Sequence, residues 1–199
     1  MAAVTIDDIR KLKELTGVGL TDAKVALVEA DGDFDKALEA MRKKGLTRAE
    51  KKADREAREG LIDSYVHSGR IGVLVEVNCE TEFVARTEGF KEFAHQISLQ
   101  IASMNPTYIS EADIPADELE RVRKEAASSE SLKGKPADIA EKIIDGQVKK
   151  NFADKVLLNQ AYIMNDKQTV AEFLKENVSK TGENIIIRRF TRIELGVND

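Results

Sequence analysis

The side chains in this sequence that could support nucleophilic chemistry are one cysteine and two histidines. Cys79 is the only cysteine, and His67 and His95 are the only histidines. A cysteine nucleophile needs a base beside it, but His67 ends a predicted strand and His95 lies on a predicted helix, and no pattern brings either to Cys79. Because Cys79 ends an apolar strand, a small buried side chain is expected there. A thiol enzyme that uses Cys79 stays an alternative, but the sequence favours no enzyme.

Metal and phosphate sites have little support in the sequence. A single cysteine excludes an intramolecular disulfide and a cysteine-based metal cluster, and no spacing of Asp, Glu and His is typical of a metal centre. Gly17-Val18-Gly19 lacks the preceding strand and the third glycine of a dinucleotide-binding loop. We therefore expect neither a metal nor a cofactor.

The segment that follows the apolar run 71–77 is the feature most typical of a contact site. Thr81 is suited to cap a helix, and Glu82 lies where a carboxylate favours a helix N-terminus. The pattern predicts a turn at the end of a rigid strand, with Phe83 carried on it. Two interpretations of Phe83 stay open from the residues alone. It anchors the core beneath the helix start, as large aromatics usually do, or it is displayed as a probe into a partner.

The composition is that of a globular chain of 199 residues, with 42% hydrophobic residues and a net charge of −5. No stretch approaches the ~20 apolar residues of a membrane span, and the N-terminus lacks the pattern of a signal or transit peptide. One cysteine fits a reducing compartment, so we expect a cytoplasmic protein with no membrane partner. A mildly acidic chain lacks the basic field that general nucleic-acid binding needs, so no direct nucleic-acid contact is expected.

Residues 1–46 predict a small module of three short helices. Thr5 with Asp8 begins the first helix, Asp33 caps the third, and Gly45 is expected just beyond its end. A helical bundle with an exposed glycine-containing turn resembles ubiquitin-associated-type (UBA-like) domains, which bind partners through that turn and the third helix. An ordinary three-helix bundle whose glycines merely permit a tight turn fits the pattern equally well.

Residues 47–59 predict a separate charged helix that is polar on most faces. Its acidic residues Glu50, Asp54, Glu56 and Glu59 interleave with the basic ones. This mixture favours a connector between modules or a docking arm over a basic nucleic-acid patch.

Residues 60–199 predict a core domain of mixed helices and strands, which makes the whole chain α+β. Strands over 61–67 and 71–78 are joined by a turn at Gly69, and a last strand covers 184–195. The expected architecture is a three-stranded antiparallel sheet packed on helices. The helix after the Phe83 turn carries an apolar stripe of Phe90, Phe93, Ala94, Ile97, Ile101 and Met104.

Several segments, in the right order, resemble the elongation factor Ts family and together span essentially the whole chain. The matching segments are 15–27 with their continuation to 45, then 81–86, then 135–146 with 156–160, and finally 182–190. The resemblance implies a guanine-nucleotide exchange factor for elongation factor Tu, the GTPase that delivers aminoacyl-tRNA to the ribosome. It implies a protein that binds its partner and changes the partner's conformation, without enzyme chemistry.

The resemblance also implies which residues contact Tu. The N-terminal module is expected to dock on the GTPase domain through the turn Thr16, Gly17, Val18, Gly19 and Leu20. The second contact is expected from Thr81, Glu82, Phe83, Val84 and Arg86, with the phenylalanine inserting between Tu helices near the nucleotide and magnesium site. The family usually has aspartate at the position of Glu82, so this carboxylate sits on an arm one methylene longer. The alternative from another class is a UBA-like adaptor without exchange activity.

We also expect a homodimer formed through the sheet. Strict alternation turns Val73, Val75 and Val77 towards the helices and leaves the opposite face of the sheet open. On that open face, Leu74, Ile186 and Phe190 are expected to form the dimer contact, here called the seam. Longer relatives have a duplicated core and an inserted coiled-coil hairpin, whereas this sequence shows one core unit that a second copy would complement. A monomer with a wet second face stays the alternative.

Overall fold

The computed structural model describes residues 4–129 and 136–197, except for the side chains of 46–48. The α+β fold predicted from the sequence is confirmed, with three N-terminal helices before a core that contains a three-stranded antiparallel sheet. The helices are α1 (Ile6–Thr16), α2 (Leu20–Glu29), α3 (Phe34–Glu50), α4 (Glu82–Ala85), α5 (Glu88–Met104), α6 (Ala116–Ala127), α7 (Ala137–Phe152) and α8 (Val170–Thr181). The strands are β1 (Glu59–His67), β2 (Ile71–Cys79), β3 (Ala161–Tyr162), β4 (Asn165–Thr169) and β5 (Ile186–Glu194). Lys135, at the start of one matched segment, lies outside the described residues.

The chain divides into two compact units that do not follow sequence order. The first unit runs up to Leu99 and resumes at Ala171, and the second covers Gln100–Val170. The first unit therefore contains both the three N-terminal helices and the three-stranded sheet. The division into a 1–46 module, a 47–59 connector and a 60–199 core stays a prediction.

The first helix begins and ends, and the third helix begins, where their capping residues predict. The Thr5 hydroxyl accepts a hydrogen bond from the Asp8 amide at 3.1 Å, and the Asp33 carboxylate accepts one from the Lys36 amide at 3.1 Å. Gly17 ends α1 in the left-handed conformation at φ 67°. The shared core of the three helices consists of Leu12, Val18, Ala23, Ala26, Leu27, Ala37 and Met41.

The predicted end of the third helix at Gly45 is wrong, and so is the separate helix over 47–59. α3 continues through Gly45 to Glu50, and turns follow before β1 begins at Glu59. The glycine is needed for close packing, because a Cβ at position 45 would lie 3.0 Å from the Ser179 hydroxyl on α8. Nearby, Arg42 forms an ion pair with Glu176 of α8 at 3.3 Å. α3 is thus fixed against the last helix of its unit.

The three-stranded sheet has the order β1-β2-β5, with every neighbouring pair antiparallel. The hairpin between β1 and β2 turns at Ser68 and Gly69, which both have positive φ, as the glycine predicted. β2 is therefore the central strand, paired with β1 over its whole length and with β5 from Ile71 to Asn78. A rigid central strand fixes the position of whatever follows it.

One face of the sheet is covered by helices of the same unit. Val73, Val75 and Val77 of β2 are buried, as predicted. The ring of Phe93 on α5 packs against that of Phe173 on α8, with centroids 5.2 Å apart. The α5 stripe is buried as far as Ile101, but Met104 at the end of the helix is exposed, contrary to expectation.

A β-bulge in β5 contradicts the predicted alternation of its side chains. The register between β2 and β5 shifts at Glu76 and Val77, so Arg188 is the extra residue. Beyond the bulge Phe190 pairs with Val75, and paired residues share a face. Phe190 therefore points to the helix-covered side, and it cannot form the open-face seam in which it was expected.

The second unit was predicted least completely. Its core packs α6 on α7 through Val122, Val148 and Phe152. The short antiparallel pair β3–β4 was not predicted, because its strands are too short and too polar for a period-two pattern. The buried amide of Gln100 holds this hairpin by donating to the carbonyl of Ala161 at 3.1 Å and accepting from the amide of Ile163 at 2.9 Å.

Serine substitutions at Gly17 and Gly19 should have opposite effects on stability. A Cβ at Gly17 would need φ 67° and would lie 2.5 Å from the Cα of Lys180, so Gly17→Ser should lower the free energy of unfolding by about 2 kcal/mol or more. Gly19 has an ordinary φ of −66° and no atom within 4 Å of its Cβ position, and serine is a good N-cap, so Gly19→Ser should be neutral or slightly stabilising. Urea unfolding measures both, and equal losses would contradict the packing at Gly17.

Candidate partner-binding site

Phe83 is displayed on the surface, with 81% of the residue exposed. It lies in α4, a single helical turn that starts immediately after the Thr81 cap. The interpretation of Phe83 as a core anchor is therefore wrong. Phenylalanine is among the residues most often buried, so this exposed ring on a rigidly placed turn is the strongest candidate for a contact site.

Buried residues that precede and follow Phe83 in the sequence anchor the turn to the core. Cys79 ends β2 in full burial, and its thiol donates to the carbonyl oxygen of Thr81 at 3.2 Å. Val84 and Ala85 on the inner side of α4 are also buried. The short helix is thus anchored by its inner side, which leaves Glu82, Phe83 and Arg86 to face solvent.

The exposed side of the turn carries charges of both signs around the phenyl ring. Arg86 donates a hydrogen bond to the Glu82 carboxylate one helical turn earlier. These two residues, with Phe83 and Thr87, line an open groove. Because the pair is solvent-exposed, it contributes little to stability. Its chemistry instead suits a contact in which a ring enters an apolar pocket and a charged pair lies at the rim.

The loop that follows α8, distant in sequence, forms hydrogen bonds with the start of the Phe83 turn. The sequence analysis did not predict this contact. The Glu183 carboxylate accepts hydrogen bonds from the amides of Glu80 and Thr81 at 3.1 and 3.0 Å and from the Thr81 hydroxyl at 2.6 Å. In return, the Glu80 carboxylate accepts from the amide of Asn184 at 2.6 Å. The segment 182–185 was recognised only as a family match, and nothing in its composition points to the turn.

The same loop also ties down the chain that leaves α3. The Asn184 side chain donates to the carbonyls of Ala53 and Arg55 at 3.2 and 2.7 Å, and the Lys52 ammonium donates to the carbonyl of Gly182 at 2.5 Å. Asn184 is buried while it makes these bonds. Residues 52–55 are therefore fixed to the loop that holds the Phe83 turn.

The structure does not assemble a thiol site. Burial, reinforced by the nearby Glu183 carboxylate, raises the pKa of the Cys79 thiol to about 11. His95 contacts Asp63 at 3.2 Å and His67 contacts the Tyr65 hydroxyl at 2.9 Å, so each histidine is engaged by another group. Cys79 is therefore a neutral, buried side chain at neutral pH, which matches the core role expected for it.

The glycine turn of the N-terminal module places its residues in different environments. Thr16 and Val18 are buried, and Gly17 lies against the backbone of α8. Gly19 and Leu20 are exposed at the start of α2. α2 continues this surface with the exposed apolar side chains Val25 and Val28. Within the predicted set, Leu20 is the side chain that is free to contact a partner.

The open face of the sheet carries an apolar patch that differs from the expected seam. Leu74 lies on this face opposite Ser64 and Thr191, and it is more than half exposed. Ile186 pairs with Asn78 on the near side of the bulge and is half-buried, whereas Phe190 faces the helices. The patch instead consists of Leu74 with its diagonal neighbours Ile62, Val66 and Ile193, each more than half exposed. Strict alternation places Ile193 on the opposite face, because it does not account for the extra residue in the bulge.

Within residues 4–129 and 136–197, no group of three or more His, Cys, Asp or Glu side chains is arranged to hold a metal ion. The helices of this described part are too short or too polar to cross a membrane.

Comparison with known proteins identifies relatives over nearly the whole chain. The family model described as Elongation factor TS matches residues 39–197. Elongation factor Ts of Thermoanaerobacter sp. (strain X514) is 48% identical over 194 residues, which cover 97% of this chain and 95% of that protein. The Thermotoga maritima and Desulfosudis oleivorans proteins of the same name are 49% and 45% identical, over 97% and 98% of this chain and 96% and 100% of their own lengths. On both measures, the chain belongs to the elongation factor Ts family.

Proposed function

We propose that this chain is a guanine-nucleotide exchange factor that promotes GDP release from elongation factor Tu by inserting Phe83 near the nucleotide and magnesium site. Family membership supports the exchange role. The observation that carries the insertion is the 81% exposure of Phe83 at the end of a rigid central strand, within a segment that resembles the family's own. The exposed Glu82 and Arg86 contact the partner around the ring, while Thr81 caps the turn and the buried Val84 anchors it.

The physical basis of exchange is a difference in affinity between two conformations of Tu. The factor expels GDP only because it binds a conformation that holds GDP poorly. A ring wedged between helices stabilises that conformation, since the helices cannot close on the nucleotide while the ring lies between them. No covalent bond is made or broken, so the chain acts as a binding protein and not as an enzyme.

The N-terminal helices provide a second contact with the GTPase. The exposed apolar residues Leu20, Val25 and Val28 on α2 form a surface suited to a protein partner. The turn residues Thr16, Gly17, Val18 and Gly19 set the direction of α2, and Leu20 makes the contact. Two separate contacts on one unit hold Phe83 at a fixed distance from the docking helix. We place this activity in the cytoplasm, where translation occurs.

A homodimer through the open sheet face completes the proposal. Leu74 and its neighbours Ile62, Val66 and Ile193 form a contiguous apolar patch on the face of the antiparallel sheet opposite its helix-covered face. Two such faces packed together would bury these side chains as the two inner faces of a β-sandwich do. Ile186 lies on the margin of this patch, and the Glu76–Arg189 ion pair at 2.6 Å lies beside it.

Replacing Phe83 with alanine should separate exchange from stability. Because Phe83 is exposed, Phe83→Ala should change the free energy of unfolding by less than about 0.5 kcal/mol. GDP release from Tu should slow by about 30-fold, the effect of losing a hot-spot side chain of about 2 kcal/mol. Urea unfolding and the release of a fluorescent GDP analogue from Tu measure the two quantities.

Phe93→Ala is the matched control for this experiment. The Phe93 ring is buried, so the same truncation should cost about 3–5 kcal/mol of stability, while exchange per folded molecule should change little. Normal GDP release by Phe83→Ala would contradict the insertion, and a complete lack of exchange by the wild-type chain would favour the UBA-like adaptor.

A single charge on the open face should dissociate the dimer. Leu74→Glu places a carboxylate at the centre of the apolar patch, where it would be buried unpaired between two sheets. Sedimentation velocity at micromolar concentration should show a dimer for the wild type and a monomer for the variant. Leu119→Glu, at an exposed leucine on α6, is the matched control and should remain dimeric. A wild-type monomer, or a dimer that survives Leu74→Glu, rules out this interface.

The buried thiol of Cys79 gives a test of the thiol-enzyme alternative. At pH 8 the folded chain should react with iodoacetamide far more slowly than the urea-unfolded chain, because the thiolate is scarce and covered. The folded pKa is raised from 9.0 to about 11, so the thiol's contribution to stability is present below pH 9 and is lost as the pH rises through 11. Unfolding of the wild type and of Cys79→Ala at pH 8 and pH 10.5 should show this loss only in the wild type. Rapid alkylation of the folded chain would support the thiol-enzyme alternative.

A further inference from the structure

The loop between α8 and β5 makes the densest polar contact near the Phe83 turn. The Glu183 carboxylate uses both oxygens: Oε2 accepts from the amides of Glu80 and Thr81, and Oε1 accepts from the Thr81 hydroxyl. The Glu80 carboxylate reaches back to the amide of Asn184. We refer to Glu80, Thr81, Glu183 and Asn184 as the crossed clamp, because each acidic side chain binds the backbone beside the other.

The crossed clamp lies directly upstream of the displayed ring. The Thr81 hydroxyl that donates to Glu183 also accepts a long hydrogen bond of 3.4 Å from the Val84 amide, and this bond is the side-chain cap of α4. A helix of four residues has too few internal hydrogen bonds to persist alone. Its direction is therefore determined by the buried Val84 and Ala85 and by the group that orients Thr81.

We propose that Glu183 is the positioning residue of the exchange site: it fixes the direction in which Phe83 is displayed and acts on exchange only through that ring. This inference rests on the proposed insertion of Phe83. A ring that enters a pocket binds best when its backbone is already ordered, since the entropy of ordering is otherwise lost on binding. Hydrogen bonds to a charged acceptor are stronger than neutral ones, so one carboxylate with three of them suits this role.

The test is a double-mutant cycle on the full chain. Glu183→Ala should slow GDP release by about tenfold, because it removes several hydrogen bonds to a charged group. Glu183→Gln keeps the shape and one acceptor oxygen, so its loss should be smaller. In the Phe83→Ala background, Glu183→Ala should cause no further loss, because the ring through which it acts is absent. Glu125→Gln removes a carboxylate whose partner is Arg121 on the same helix, and it should leave exchange unchanged.

A second readout does not depend on Tu. The sequence contains no tryptophan, so Phe83→Trp introduces a single fluorescent probe at the displayed position. In time-resolved anisotropy the indole should show a larger fast component when Glu183→Ala is added and an intermediate one with Glu183→Gln. The Glu125→Gln control should not change it.

The outcomes separate this inference from the proposed function. Normal exchange by Phe83→Ala overturns the insertion, whatever the anisotropy shows. Loss of exchange in Phe83→Ala but not in Glu183→Ala overturns the positioning role alone. An equal further loss from Glu183→Ala in the Phe83→Ala background, or unchanged anisotropy of the probe, also overturns it, because either result would mean that Glu183 acts elsewhere.

Discussion

Burial of the central strand β2 is the constraint on which the other features depend. Its three inward valines are buried on the helix-covered face of the sheet, and each contributes about 1.5–3 kcal/mol through burial. Since β2 is paired on both edges, it cannot slip by one residue without turning these valines outward. The register therefore fixes where the strand ends at Cys79. The Phe83 turn takes its position from that end, and the open face takes Leu74 from the same alternation.

Close packing around α8 connects the N-terminal helices to this strand. Two glycines, Gly17 and Gly45, allow the backbones of the first and third helices to approach α8 at Lys180 and Ser179. The loop that follows α8 then contacts both residues 52–55 and the start of the Phe83 turn. In the proposed complex, the docking helix and the inserted ring would thus belong to one continuous packed unit. Rigid spacing of this kind reduces the ordering cost of binding at two places.

Local signals in the sequence were sufficient for most elements, and their failures have physical causes. The caps at Thr5, Asp33 and Thr81 act within four residues, so they could be read directly. Gly45 was misread as a helix end because the reason for a glycine there is a neighbour on α8, far away in sequence. Phe190 was placed on the wrong face because a β-bulge leaves no mark in an apolar pattern.

In the candidate site, too, local features could be predicted from the sequence and tertiary contacts could not. Composition could place Phe83 on a turn at a strand end, but it left open whether the ring is buried, and only tertiary packing decided that it is displayed. The contact between Glu183 and Thr81 joins residues about a hundred positions apart, and hydrophilic residues in a loop carry no signal of such a partner.

An exposed phenylalanine opposes the usual tendency to bury aromatic surface, and the proposed exchange cycle accounts for it. In the proposed complex the ring would gain the burial that it lacks in the free chain, and this hydrophobic free energy would stabilise the conformation of Tu that releases GDP. Linkage then works in both directions: if binding of the factor weakens nucleotide affinity, nucleotide must weaken binding of the factor by the same ratio. In the proposed cycle, incoming GTP would thereby displace the factor without any chemical step. Had Phe83 been buried in its own core, the same ring would stabilise this chain and could not couple to its partner.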